Sequence, residues 1–190
     1  IDPSGLHARP AARFVQADMS RSEDVARLVG ATEAAFGRVD VLYSNAGFNE
    51  LGTAPELAED AWHRVIETNL SGQFFLAKYG IPALQRAGGG SIILTASEFG
   101  LVGAERSVAY CAAKGGVTNM TRALAVDCGR LGIRVNCLAP GPTKTPALLE
   151  WFEEQPDPIA FEAAQSKPVL LGRLGEPVDQ ARAAVFLASD

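Results

Sequence analysis

The 190-residue chain carries 17 Lys and Arg against 22 Asp and Glu, a net charge of −5, and is 47% apolar and 21% charged. Those proportions suit one folded domain and exclude intrinsic disorder, and no apolar run reaches the ~18 residues that a membrane-spanning helix needs. The acidic balance argues against a nucleic-acid surface, and residues 1–10 lack a basic stretch leading into an apolar core, so a secretory signal is not indicated and the cytoplasm is the expected compartment.

In chain order, short apolar runs that end in turn residues alternate with helical periodicity, the pattern of a parallel sheet covered on both faces. The first run, 13–17, reads as a strand. Ser20 and Glu23 then stand at capping-box spacing, and Val25, Leu28, Val29, Thr32 and Phe36 repeat on one helical face until Gly37 offers a stop. Runs at 39–43, 91–96 and 133–138 are short and nearly all apolar, as strands buried on both faces are. Trp62, Val65, Ile66, Leu70, Phe74 and Phe75 predict a helix over 59–79, which Pro82 is expected to kink or end. The Ala-rich stretch 107–128 predicts another, closed by Gly132, and Pro177 marks the start of a last one.

Six prolines from Pro140 to Pro168 punctuate the segment that holds Trp151, Phe152 and Phe161. Residues 146–168 therefore read as a substrate-side lid on a single domain spanning 1–190. The chain opens at the edge of a first strand and stops at Asp190 just after a helix, where a parallel fold supplies another strand, so truncation at both ends is expected. Cys111, Cys128 and Cys137 lack the paired spacings of a zinc site, and His7 and His63 add no ligand near them, so no metal is expected.

Tyr110 and Lys114, at i and i+4, share a helix face. An ammonium there favours the phenolate, drawing the phenol down from a reference pKa of about 10 toward neutrality. The same spacing also occurs in plain surface pairs. Ser97 closes the third strand thirteen residues before Tyr110, at the kind of strand end where open α/β sheets present ligands. Its hydroxyl can hold a substrate oxygen or cap a turn. Asn69 is a poor helix former in mid-helix, so its amide either faces solvent or has a polar task inside the fold. Ser44, Asn45, Ala46 and Gly47 follow the second strand without a bulky side chain, which lets backbone approach a flat ligand or makes an ordinary turn.

Taken in order, Asp18, Asn45-Ala46-Gly47, Asn69, Ser97, Tyr110-x-x-x-Lys114 and Pro140-Gly141 resemble the short-chain dehydrogenases/reductases over nearly the whole chain. The resemblance implies an α/β fold: a doubly wound parallel sheet, Rossmann-like, with the first β-α-β unit and the last strand absent. It implies an oxidoreductase that uses NAD or NADP to interconvert a secondary alcohol and a ketone. Tyr110 would be the general acid or base, Lys114 would lower its pKa and hold the nicotinamide ribose, and Ser97 would orient the carbonyl. Asn69 would link Lys114 to a proton relay through its main chain and a water. Asp18 would bind the adenine amino group beside the Met19 backbone, Asn45, Ala46 and Gly47 would line the adenine-ribose side, and Pro140, Gly141, Thr143 and Thr145 would meet the nicotinamide. A homodimer or homotetramer built through the helices at 59–79 and 107–128 is implied too, with a small alcohol or ketone as substrate and neither nucleic acid nor membrane as partner.

Ser44 stands where the family more often has Asn, and Thr143 where Ile or Val is usual. The family's opening strand, glycine-rich turn, helix and second strand have no counterpart here. Gly88-Gly89-Gly90 precedes a strand instead of entering a helix, so its amides would not face a pyrophosphate. Ile1-Asp2-Pro3 resembles the segment just past the second strand, which puts the selector between NAD and NADP outside the sequence. In the order 3-2-1-4-5-6 the missing strands fall between 13–17 and 39–43. The 190 residues alone are therefore expected to fold poorly or leave unpaired sheet edges, and a cooperative thermal transition would refute that. The alternatives are a catalytically silent nucleotide- or partner-binding module, against which the intact Ser97, Tyr110 and Lys114 count, and an epimerase or dehydratase that forms product with no net change in NAD(P)H absorbance.

Overall fold

A computed structural model describes residues 12–189; the expectations for Ile1-Asp2-Pro3 and Asp190 lie outside these described residues. Helix α1, Ser22–Phe36, ends where Gly37 adopts a left-handed conformation at φ 82°. Strand β1, Val41–Ser44, leads through a loop to α2, Glu59–Ile66, which continues through a wide π turn at Glu67–Ser71 into α3, Gly72–Ala87. Strand β2, Gly90–Thr95, helix α4, Val108–Cys128, and strand β3, Ile133–Leu138, follow. Short helices α5, Pro146–Glu153, and α6, Pro158–Ser166, precede α7, Pro177–Ala188.

The strands form a parallel sheet in the order β1-β2-β3, with Leu42 beside Ile92 and Ile92 beside Val135. Side chains alternate across the pleat, so β2 serves two cores. Ile92 and Leu94 face one core with Val25 and Val29 of α1, Leu76 and Leu84 of α3, and Val117 and Cys128 of α4. Ile93 faces the other with Leu138 and with Ala184 of α7. Helices thus cover both faces of the sheet, and every strand points its C-terminal end toward the same edge.

Three local expectations give way. Residues 13–17 form no strand, because no other segment among the described residues offers them a ladder of N–H and C=O groups, and Phe14 is left 87% exposed. Ser20 does not cap α1. Its main-chain N–H and its hydroxyl both donate to Asp18 Oδ1, at 2.9 and 2.7 Å, and Arg21 occupies the N-cap position. The helix also runs through Pro82 to Ala87, since Ala83 and Leu84 beyond the proline are fully buried. A mid-helix proline costs about 3 kcal/mol, and burying a leucine returns roughly 1.5–3 kcal/mol.

Candidate active site

The parallel strands deliver Ser44–Gly47, Thr95–Ser97 and the segment from Pro140 to one edge of the sheet, and the first turns of α4 bring Tyr110 and Lys114 against it. Ser97 is buried at 8% exposure, its Oγ accepting from the Phe99 N–H at 3.2 Å, and its hydroxyl lies near enough to Tyr110 to act on the phenol. Lys114 is 2% exposed, with its Nζ 5.4 Å from the centre of the Tyr110 ring. The ammonium donates to the Thr95 carbonyl at 2.8 Å.

The electrostatics differ from the sequence expectation. Burial pushes the Tyr110 phenol above its ordinary pKa; the Ser97 hydroxyl acts downward, and Cys111 and then Glu98 push the same way as burial. Lys114 does not draw the phenol down, because its ammonium is turned to the Thr95 carbonyl and meets the face of the ring. Its own pKa falls to about 8, since burial disfavours the charged form.

Asn69 sits in the π turn with no exposed surface. Its Nδ2 donates to the Phe48 carbonyl at 2.8 Å and to the Val65 carbonyl at 2.9 Å, so of the two readings its mid-helix position allowed, the amide turns inward and does not face solvent. Its Oδ1 is buried and has no partner among the described residues, and the same holds for Ser44 Oγ. A Cβ on Gly47 would run into that Oδ1 and stand 3.3 Å from Lys114 Nζ, so only glycine leaves room there. The unsatisfied amide oxygen and bare glycine backbone beside a buried ammonium fit a flat polar ligand such as a nicotinamide dinucleotide.

Sequence spacing did not single out Gln73, which joins these groups. The residue is 1% exposed; its Nε2 donates to the Asn69 and Thr95 carbonyls, both at 2.9 Å, and its Oε1 accepts from the Thr95 N–H at 3.1 Å. The Thr95 carbonyl therefore holds both Gln73 and Lys114.

The outlying residues lie as follows. Asp18 is exposed and Ser20 hydrogen bonds lower its pKa, while a Cβ on Gly72 would come within 2.7 Å of the Met19 carbonyl. Asn45, Ala46 and Gly47 are exposed at the end of β1, and Asn45 Oδ1 accepts from Tyr43 at 3.1 Å and Thr95 Oγ1 at 3.3 Å. Pro140 accepts from the Glu98 N–H at 3.0 Å, Thr143 Oγ1 donates to the Gly141 carbonyl at 3.0 Å, and Thr145 Oγ1 caps α5 by accepting from the Leu148 N–H at 3.3 Å. Trp151 and Phe152 meet Phe161 edge-on, with ring centres 4.9 and 5.6 Å apart, so these aromatics pack α5 and α6 together. Among the described residues no helix is long and apolar enough to cross a membrane.

Residues 4–190 match the family model described as enoyl-(acyl carrier protein) reductase. An L-fucose dehydrogenase of Bos taurus is 40% identical over 184 residues, covering 95% of this chain and 67% of that protein. The solved structure of ElxO with NADP bound is similar at a TM-score of 0.86 and 31% identity, over 94% of this chain and 71% of that one. A short-chain dehydrogenase/reductase of Burkholderia xenovorans is similar at 0.89 and 34% identity, over 93% and 68%. The chain spans about two thirds of the length of such relatives.

Proposed function

Because the chain belongs to the short-chain dehydrogenase/reductase family, we propose that the whole protein is an oxidoreductase of the cytoplasm, using NAD or NADP to interconvert a secondary alcohol and a ketone. The observation that carries this reading is the convergence of Ser97, Tyr110 and Lys114 at the C-terminal edge of the sheet. When bound, the cofactor supplies the hydride, and the protein supplies orientation and the proton.

Ser97 holds the substrate oxygen, and Tyr110, whose raised pKa keeps its proton on the phenol, delivers that proton in ketone reduction. In the oxidative direction the phenolate takes the alcohol proton. Lys114, protonated below about pH 8, holds ribose hydroxyls, with Thr95 and Gln73 fixing its position. The Asn69 carbonyl already accepts from Gln73, and its second lone pair serves the relay water. Gly47, Asn45 and Ala46 line the adenine-ribose side with Asp18 and Met19 beyond them, and Pro140, Gly141, Thr143 and Thr145 meet the nicotinamide. Residues 146–168 close over the substrate. Val126, 81% exposed on α4, and Phe74, 47% exposed on α3, support pairing through these helices as a homodimer or homotetramer.

The test is Tyr110→Phe in the full-length protein. Turnover of secondary alcohols should fall by about 10²–10⁴-fold with little change in cofactor affinity. Undiminished turnover would reject the assignment.

A further inference from the structure

Glu98 follows Ser97 directly, and its N–H donates to the Pro140 carbonyl at 3.0 Å. A Cβ on Gly141 would stand 3.5 Å from Glu98 Oε2, so the carboxylate lies against the Pro140-Gly141 segment. It is near enough to Tyr110 for its charge to act on the phenol. The side chain is half-buried, yet among the described residues it joins no ion pair and accepts no hydrogen bond; burial alone raises its pKa. A carboxylate drawn partly out of water is ordinarily paired, and being acceptor-only it needs a donor. Gly141 leaves open the side from which a donor can arrive.

We infer that Glu98 sets the substrate class of this site, favouring alcohols with a second hydroxyl on the carbon next to the reacting one and disfavouring those with a carboxylate there. The inference rests on the oxidoreductase reading above. Lys114 already places a cation in the site, which disfavours an ammonium as the donor and leaves a neutral hydroxyl. A substrate carboxylate at that point would meet Glu98 charge to charge. Ser97 then holds the oxygen that reacts and Glu98 the oxygen beside it, so consecutive residues read adjacent carbons.

The experiment compares cyclohexanol, cis-1,2-cyclohexanediol and cis-2-hydroxycyclohexanecarboxylate as substrates of the full-length protein with its cofactor, in the native sequence, Glu98→Leu and Glu98→Gln. A hydrogen bond to a charged acceptor predicts a diol-to-cyclohexanol ratio of kcat/KM of about ten to a hundred in the native protein. The ratio should collapse toward one in Glu98→Leu. Glu98→Gln, which keeps the shape and removes the charge, should accept the hydroxy acid at least about tenfold better relative to cyclohexanol. A native ratio near one, or one that survives Glu98→Leu, overturns the inference alone. Failure of the native protein to oxidise any of the three overturns the oxidoreductase reading with it.

Discussion

Replacing Lys114 by Met should make the protein more stable at neutral pH. The side chain is 2% exposed, and burial lowers its pKa from 10.5 to about 8. At about 1.36 kcal/mol per pH unit, holding the ammonium in the folded state costs up to about 3 kcal/mol. The sign follows from proton binding: between pH 8 and 10.5 the unfolded chain binds the proton that the folded chain has released, so stability rises with pH across that window. Below pH 8 both states carry it and the cost is felt in full. Urea unfolding of the cofactor-free full-length protein should show Lys114→Met more stable by up to about 3 kcal/mol at pH 7, with about 2 kcal/mol of that difference gone by pH 9.5. The same variant should lose cofactor affinity and turnover. A variant less stable than the native protein at pH 7, or a difference that ignores pH, would show that the Thr95 carbonyl fully compensates the buried charge.

Gln73→Leu leaves the Thr95 N–H without its acceptor and should lower unfolding free energy by about 1–3 kcal/mol. Because the Thr95 carbonyl also anchors Lys114, kcat should fall more than KM rises; equal loss in both would mark Gln73 as purely structural. Gly47→Val drives a side chain into Asn69 Oδ1 and should weaken NAD(P) binding at least about tenfold, as read by fluorescence titration; unaltered affinity would place the cofactor elsewhere. Phe152→Ala removes the 3%-exposed ring between α5 and α6 and should cost about 3–5 kcal/mol, measured as faster amide exchange in that segment; protected amides would show the lid helices held by other contacts.

Much of the scaffold was legible because it is local. Gly37 ends α1, Pro177 opens α7, and β3 spans the very residues whose apolar run announced it. Where partners are distant, spacing was mute. The run at 13–17 has strand character but no strand to pair with among the described residues, and Pro82 stays helical because the core claims Leu84. Asn69, Ser97, Tyr110 and Lys114 were each ambiguous alone and became legible through the order they share with the short-chain dehydrogenases/reductases, and they do gather at one edge. Gln73 was not, since its partner Thr95 lies 22 positions away and nothing near Gln73 in sequence signals the link. Neither was Glu98, whose interest lies in lacking a partner, a property that only three dimensions reveal.

The π turn at Glu67–Ser71 packs one residue more into its turn than a regular helix does, so α2 and α3 are out of phase along one continuous rod. The first half can thus aim its apolar stripe at α4 while the second aims its own at α1 and the sheet. Deleting any one residue of this stretch would restore a seamless cylinder and swing Gln73 about 100° around the axis. The gene should therefore tolerate no codon loss here, because a count of residues is kept alongside the identity of Asn69.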